Sequence, residues 1–152
     1  MNLILWRHAE AEDHASSDLA RQLTSHGRKQ AQGIAKWLKA RIDDDAIFLA
    51  SPATRTIQTA EAFGDRYRVI DDLAPGRTAQ NVRDAAGWPG GIAQTVVVIG
   101  HQPTLGRVAA LLMTGEEAEW SIKKSGVWWF QGRPRGGDGH IVVRAVMNPD
   151  LL

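Results

Sequence analysis

The chain contains no cysteine. That excludes a disulfide scaffold, a thiolate zinc site, an iron–sulfur cluster and a cysteine nucleophile, and it fits a reducing compartment. Net charge is also nearly absent: 18 Lys and Arg against 17 Asp and Glu leave +1 at pH 7, with a pI near 8.2. A generic polybasic binder of nucleic acid or membrane is excluded, and only a local patch remains open. Long apolar runs are missing too. The longest lies near residues 95–100, far short of the ~20 residues that span a bilayer. The opening MNLILWRHAEAED has no basic start and turns charged at Arg7, so no secretory signal is expected. The expectation is a cytoplasmic protein with no nucleic-acid and no membrane partner.

What is present is an ordinary globular composition, 43% hydrophobic and 23% charged over 152 residues, which predicts one domain over 1–152. Residues 2–6 (NLILW) are short, continuous and apolar, like a buried parallel strand. Thr24 or Ser25 can cap a helix reaching about Ile42, with Ala31, Ile34, Ala35, Leu38 and Ile42 at helical spacing. Residues 46–50 (AIFLA) read as a second strand. Pro52 suits a first helical position, and Ile57, Ala60 and Phe63 give the following helix an apolar face. A weaker strand spans 67–70, and a short helix spans 79–86, ended by GWPGG. TVVVI (95–99) is the clearest strand, and Pro103 opens a helix with Leu105, Val108, Ala109 and Leu112 inward. Residues 126–131 and 140–146 read as two strands joined by a turn, RPRGGDG. This alternation predicts an α/β three-layer sandwich, a mostly parallel central sheet flanked by helices, with a C-terminal β-hairpin.

Open α/β sheets bind ligands at the carboxyl ends of their strands. NLILW is followed by Arg7 and His8. AIFLA is followed by Ser51, with Arg55 at the start of the next helix. TVVVI is followed by Gly100 and His101, again before a helix. Two histidines and two arginines therefore converge on one sheet edge, where helix N-termini also bring free N–H groups. The set suits a phosphoryl group. Arginine forks match phosphate oxygens and stay charged. One neutral imidazole can attack phosphorus while the other, protonated, holds an equatorial oxygen. Each piece alone is an ordinary packing pair or helix start; the conjunction carries the signal.

The remaining candidates are weaker. His14, His26 and His140 lack metal-ligand spacing, so no metal is expected. Residues 43–45 and 116–119 read as solvated acidic turns. The glycines of RPRGGDGH lack the context of a P-loop. Among the six tryptophans, Trp37, Trp128 and Trp129 read as core or sheet-face residues. Trp88, in a Gly/Pro loop, could line a docking surface.

Four blocks, LILWRHAEAE, LTSHGRKQAQ, SPATRTIQTAE and VVVIGHQPTLG, resemble the histidine phosphatase superfamily, the phosphoglycerate-mutase-like group, in family order. The resemblance implies that His8 is a nucleophile that becomes transiently phosphorylated, and that Arg7, Arg55 and His101 complete the phosphate pocket. The short chain and the Asp-x-x-Arg-x-Leu-Thr pattern of DLARQLTSHG resemble SixA-type phosphohistidine phosphatases, which places Arg21 near the pocket mouth as a substrate-binding residue. Larger family members carry a catalytic Glu where DDLAPGRTAQ has Pro75; Asp71, Asp72 or Glu10 could substitute. An alkoxide leaving group needs a proton from an acid, whereas protonated phosphohistidine expels neutral imidazole, so the missing Glu favours a P–N substrate. The short segment before TVVVI leaves little material for a lid. The expectation is a phosphatase without cofactor that acts as a monomer, and one that needs no metal because the two arginines supply the positive charge. Its partner would be a phosphohistidine-bearing protein, such as a phosphotransfer domain, or a small phosphorylated substrate. A small-molecule phosphomonoesterase and a non-catalytic phosphate-recognition module are the alternatives.

Overall fold

The computed structural model describes residues 1–133 and 140–152. The expected turn RPRGGDG falls, apart from Arg133, outside them. Six strands form one sheet: β1 (Asn2–Arg7), β2 (Ile47–Ala50), β3 (Tyr67–Val69), β4 (Thr95–Gly100), β5 (Val127–Gln131) and β6 (Val142–Met147). Their order is β3-β2-β4-β1-β5-β6. The first four are mutually parallel, β5 runs antiparallel to β1, and β6 antiparallel to β5. The mostly parallel sheet and the antiparallel C-terminal strand pair agree with expectation.

The two central strands are the two most continuous apolar runs. β4 is buried along its whole length and β1 along all but its last residue. Side chains alternate between faces, so each strand feeds two cores. Leu3, Leu5, Val96 and Val98 pack with Val82, Leu105, Val108 and Leu112. Those last four belong to α3 (Ala79–Ala86) and α4 (Thr104–Thr114). Ile4, Trp6, Val97 and Ile99 pack on the other face with Ile34, Leu38 and Ala60. These come from α1 (Ser25–Lys39) and α2 (Thr54–Phe63). Three layers follow directly from runs that are apolar on both sides.

Several boundaries differ from the sequence reading. α1 starts where Thr24 caps it, its side chain accepting the Gly27 N–H, but it ends at Lys39 rather than near Ile42. Ile42 still joins the core as a loop residue, which is why its spacing looks helical. Pro52 does not open α2. Ser51 Oγ accepts the Ala53 N–H at 3.2 Å, holding the turn extended until Thr54. Pro103 likewise stands just outside α4, whose first turn closes from the Leu105 N–H to the His101 carbonyl at 2.9 Å.

Trp37, Trp128 and Trp129 take core or sheet-face places, and Trp129 also donates to Asn2 Oδ1 at 3.0 Å. Trp88 differs. It packs half-buried on the α3–α4 core, with its ring against Gly132. The Gly132 N–H donates to the Met1 carbonyl, so Trp88 lies at the amino end of β1. That edge is opposite the strand ends carrying the histidines, which removes Trp88 as a docking residue for them.

Candidate active site

The carboxyl ends of β1, β2 and β4 are laced together. Arg7 lies opposite Gly100 in register. The His8 N–H donates to the Gly100 carbonyl at 3.1 Å, and the Ser51 N–H to the Ile99 carbonyl at 3.1 Å. The turn after β1 is then pinned by α2 and by the segment entering β5. The Ala9 N–H donates to Thr59 Oγ1 of α2 at 3.0 Å, and the Ser125 N–H to the His8 carbonyl at 3.0 Å. Ser125 also accepts from Trp6 Nε1 at 3.2 Å and has a positive φ of 57°. Gly27 opens the approach of α1, because a Cβ there would run into the Glu10 carbonyl.

Both histidines are buried, His8 at 7% and His101 at 5% exposure, with ring centroids 5.4 Å apart. His8 Nδ1 lies 2.7 Å from the Ala9 carbonyl, which can only accept, so Nδ1 carries the proton. Nε2 therefore keeps its lone pair. Burial pushes the His8 pKa down to about 4 against an upward pull from the Ala9 bond, and the charges of Arg55, Arg7 and Arg21 each add a smaller downward push. His101 Nδ1 lies 3.3 Å from Arg55 Nη2, which can only donate, so Nδ1 is its bare nitrogen. Its Nε2–H donates to Ser51 Oγ at 2.7 Å. Burial, then Arg55 and His8, push the His101 pKa down to about 3. Both shifts favour the neutral ring at pH 7; the sequence expectation of one protonated imidazole concerns the site with a phosphoryl group against it. Desolvation and neighbouring guanidiniums disfavour the cation, and a phosphoryl dianion beside them would reverse the local field.

The guanidiniums are half satisfied. Arg7 Nη1 donates to the Ile122 carbonyl at 2.9 Å. Arg55 Nη1 donates to the Asp18 carbonyl at 2.9 Å, and Nη2 to Asp18 Oδ2 at 3.2 Å. The Nε atoms of Arg7 and Arg55 are buried without a hydrogen-bond partner. Among the described residues these two are the only such side-chain nitrogens or oxygens, and both belong to the same strand-end cluster. Burial lowers the pKa of each guanidinium from its ordinary value, yet arginine stays charged at neutral pH. A buried unpaired donor is costly, and two unpartnered cationic N–H donors suit an oxyanion.

Arg21 reaches the same cluster through Asp18. Its Nε donates to Asp18 Oδ1 at 3.1 Å and its Nη1 to the Glu12 carbonyl at 3.1 Å. The structure thus brings together Arg7, His8, Arg55, His101 and Arg21. Sequence reasoning assigned no role to Asp18, Ser51 and Thr59. Asp18 was visible only within the DLARQLTSHG pattern, Ser51 only as the residue after the second strand, and Thr59 only inside the SPATRTIQTAE block. Burial works to raise the Asp18 carboxyl, but the Arg55 charge and the bonds from Arg55 and Arg21 outweigh it and hold the pKa below 3.8.

Among the described residues, none of the carboxyls offered as a substitute acid is poised over the cluster. Asp71 and Asp72 are exposed, on the short turn Asp71–Leu73. Glu10 Oε1 accepts from Thr24 Oγ1 at 2.8 Å, at the start of α1. Among the described residues, no group of three or more His, Asp or Glu could hold a metal ion, and no helix is long and apolar enough to cross a membrane. Arg7 also lines an open cleft of about 450 Å³ with Gln30, Lys123 and Lys124. A separate cavity of about 350 Å³ between Phe48, Phe63 and Tyr67 holds none of the clustered residues and lies near the amino ends of β2 and β3.

Comparison with known proteins identifies relatives of the chain. Residues 3–74 match the model of the histidine phosphatase superfamily (branch 1). The phosphohistidine phosphatase SixA of Escherichia coli strain K12 is 32% identical over 126 residues, covering 76% of each chain. A solved structure of the protein histidine phosphatase SixA complexed with tungstate superposes with a TM-score of 0.80 at 26% identity, over 99% of both chains. A phosphoserine phosphatase from Entamoeba histolytica shares the fold, with a TM-score of 0.72 at 18% identity over 99% of this chain and 98% of its own.

Proposed function

The chain belongs to the histidine phosphatase superfamily, and from that premise we propose that it is a phosphohistidine phosphatase acting on phosphohistidine carried by a protein. The carrying observation is the pair of buried, unpartnered Nε–H donors of Arg7 and Arg55 beside a histidine with a bare Nε2. Two guanidinium N–H groups donate to two phosphoryl oxygens and neutralise the dianion. His8 Nε2 attacks phosphorus, a new P–N bond forms, and the substrate's P–N bond breaks. Its imidazole, protonated beforehand on the distal nitrogen, leaves neutral. Water then attacks the phosphorylated His8, releasing inorganic phosphate and restoring the ring.

His101 serves the transferring group from the opposite side. Ser51 holds its Nε2–H, which turns Nδ1 toward Arg55 and the phosphoryl oxygens. As negative charge arrives, Nδ1 takes up a proton and becomes a donor. The preference for a P–N over an ester bond follows from the carboxyls. Among the described residues Asp18 is the carboxyl bonded to the cluster, and its two arginines favour the ionised form, which is a poor proton donor to an alkoxide. Glu10 is engaged by Thr24. The similarity to SixA supports the same substrate class. The alternative reading, a small phosphomonoesterase, takes its support from similarly folded enzymes such as the phosphoserine phosphatase.

The discriminating experiment measures kcat/KM on one preparation for three substrates: a phosphohistidine protein, an activated phenyl phosphate and a sugar phosphate. The expected order is phosphohistidine first, activated ester second and sugar phosphate last. A sugar phosphate ahead by tenfold, ~1.4 kcal/mol in transition-state terms, transfers the assignment to the phosphomonoesterase.

A further inference from the structure

Asp18 stands on the short turn Asp18–Ala20, with a side chain 58% exposed, against 5% for Arg55 behind it. We propose that Asp18 is a positioning residue: by occupying both terminal nitrogens of Arg55, it leaves the Arg55 Nε–H as the donor aimed at the phosphoryl group, and it ties Arg21 to the same site. The inference rests on reading this cluster as a phosphoryl site. The bonds describe a single clamp. Arg55 Nη1 meets the Asp18 carbonyl and Nη2 meets Asp18 Oδ2, so the backbone and side chain of one residue hold one edge of the planar guanidinium. The other carboxylate oxygen, Oδ1, takes Arg21 Nε. Arg21 Nη1 then ties back to the Glu12 carbonyl, joining this turn and the chain after β1 to α2.

Two effects of that carboxylate oppose each other. Its charge subtracts from the positive field that draws an anion. Its geometry fixes an otherwise rotatable arginine before the anion arrives. The carboxylate is more than half exposed, so water and salt screen its charge. Hydrogen-bond geometry is not screened in that way, and preorganised donors are what favour oxyanion binding. Positioning therefore outweighs repulsion. The consequence is opposite in sign to simple Coulomb reasoning: deleting Asp18 makes the site more positive and yet a poorer phosphate binder.

The test uses the whole protein and inorganic phosphate as the probe, with binding followed by calorimetry. Turnover of an activated phenyl phosphate and the 15N-coupled signal of the Arg55 Nε–H are followed alongside. Asp18→Ala should raise the phosphate Kd about tenfold, the loss of roughly one charge-assisted hydrogen bond. It should lower kcat more than it raises KM and broaden the Arg55 Nε–H signal, with the melting temperature within a few degrees of wild type. Asp18→Asn sheds the charge but keeps an acceptor oxygen for one guanidinium, so it should fall between the two. If wild type binds phosphate and either variant binds it as tightly or more tightly, the positioning role is overturned while the phosphoryl site stands. If wild type binds no phosphate, the site reading fails and this inference fails with it.

Discussion

Acidification should unfold this protein through its two site histidines. The ordinary histidine value is 6.5, and folding moves His8 to about 4 and His101 to about 3. Both values are lowered, so between the two limits the unfolded chain binds protons that the native chain refuses. Stability is fully present above pH 6.5 and falls as the pH drops toward 4 and then 3. Each unit corresponds to ~1.4 kcal/mol per group. His8 alone then withdraws on the order of 3 kcal/mol between pH 6.5 and 4, and His101 a comparable amount. Together they approach the 5–15 kcal/mol total stability typical of a domain. The assay is urea denaturation at half-unit intervals from pH 7.5 to 4.5. The slope should steepen below pH 6.5, and His8→Asn and His101→Asn should each flatten it by about half. Phosphate should shift the midpoint upward, because it binds only the native state. An unaltered slope in both site variants, or NMR titration of either ring near 6.5, would refute the reasoning.

Other perturbations have equally definite outcomes. Arg55→Ala should lower kcat/KM by ~10²–10³, as removal of a preorganised oxyanion donor does; a rate within threefold of wild type would place Arg55 outside the reaction. Gly27→Ala should destabilise by about 1–3 kcal/mol, as overpacking does, since its Cβ meets the Glu10 carbonyl; chemical denaturation reads this, and an unchanged midpoint contradicts the contact. Turnover should survive dialysis against excess chelator, because two guanidiniums supply the charge that Mg²⁺ supplies elsewhere; loss with recovery on adding a divalent ion would count against that. Ser51→Ala should leave His101 Nε2 without its acceptor and lower kcat more than it raises KM; an unchanged kcat would remove Ser51 from the site.

The strand ends were legible in the sequence because β1 and β4 are buried on both faces and read as unbroken apolar runs. Once those runs are placed in one parallel sheet, Arg7, His8 and His101 must share its carboxyl edge. Arg55 followed because a helix begins just after β2. The helix starts themselves were misplaced by two residues at Pro52 and by one at Pro103. A proline fits either the first helical position or the preceding turn, and here the Ser51 and His101 hydrogen bonds decide. Asp18 was hidden because an exposed carboxylate in a polar turn has no periodic signature, and its importance lies in joining its near neighbour Arg21 to Arg55, which is distant in sequence. The charge state of His101 was equally invisible, since it depends on burial and on the neighbouring guanidiniums. Trp88 shows the converse, a Gly/Pro setting that suggested exposure but conceals packing against Gly132.

Covalent catalysis by His8 is tested most directly by trapping the intermediate. The enzyme is mixed with a phosphohistidine protein whose phosphoryl group is labelled, quenched without acid within the first turnover, digested and mapped. Because His8 Nδ1 is committed to the Ala9 carbonyl, the label should sit on His8 at Nε2, be lost in mild acid as P–N bonds are, and be absent from His8→Ala. Label on Ser51, Thr54 or His101, or full turnover by His8→Ala, would contradict the mechanism.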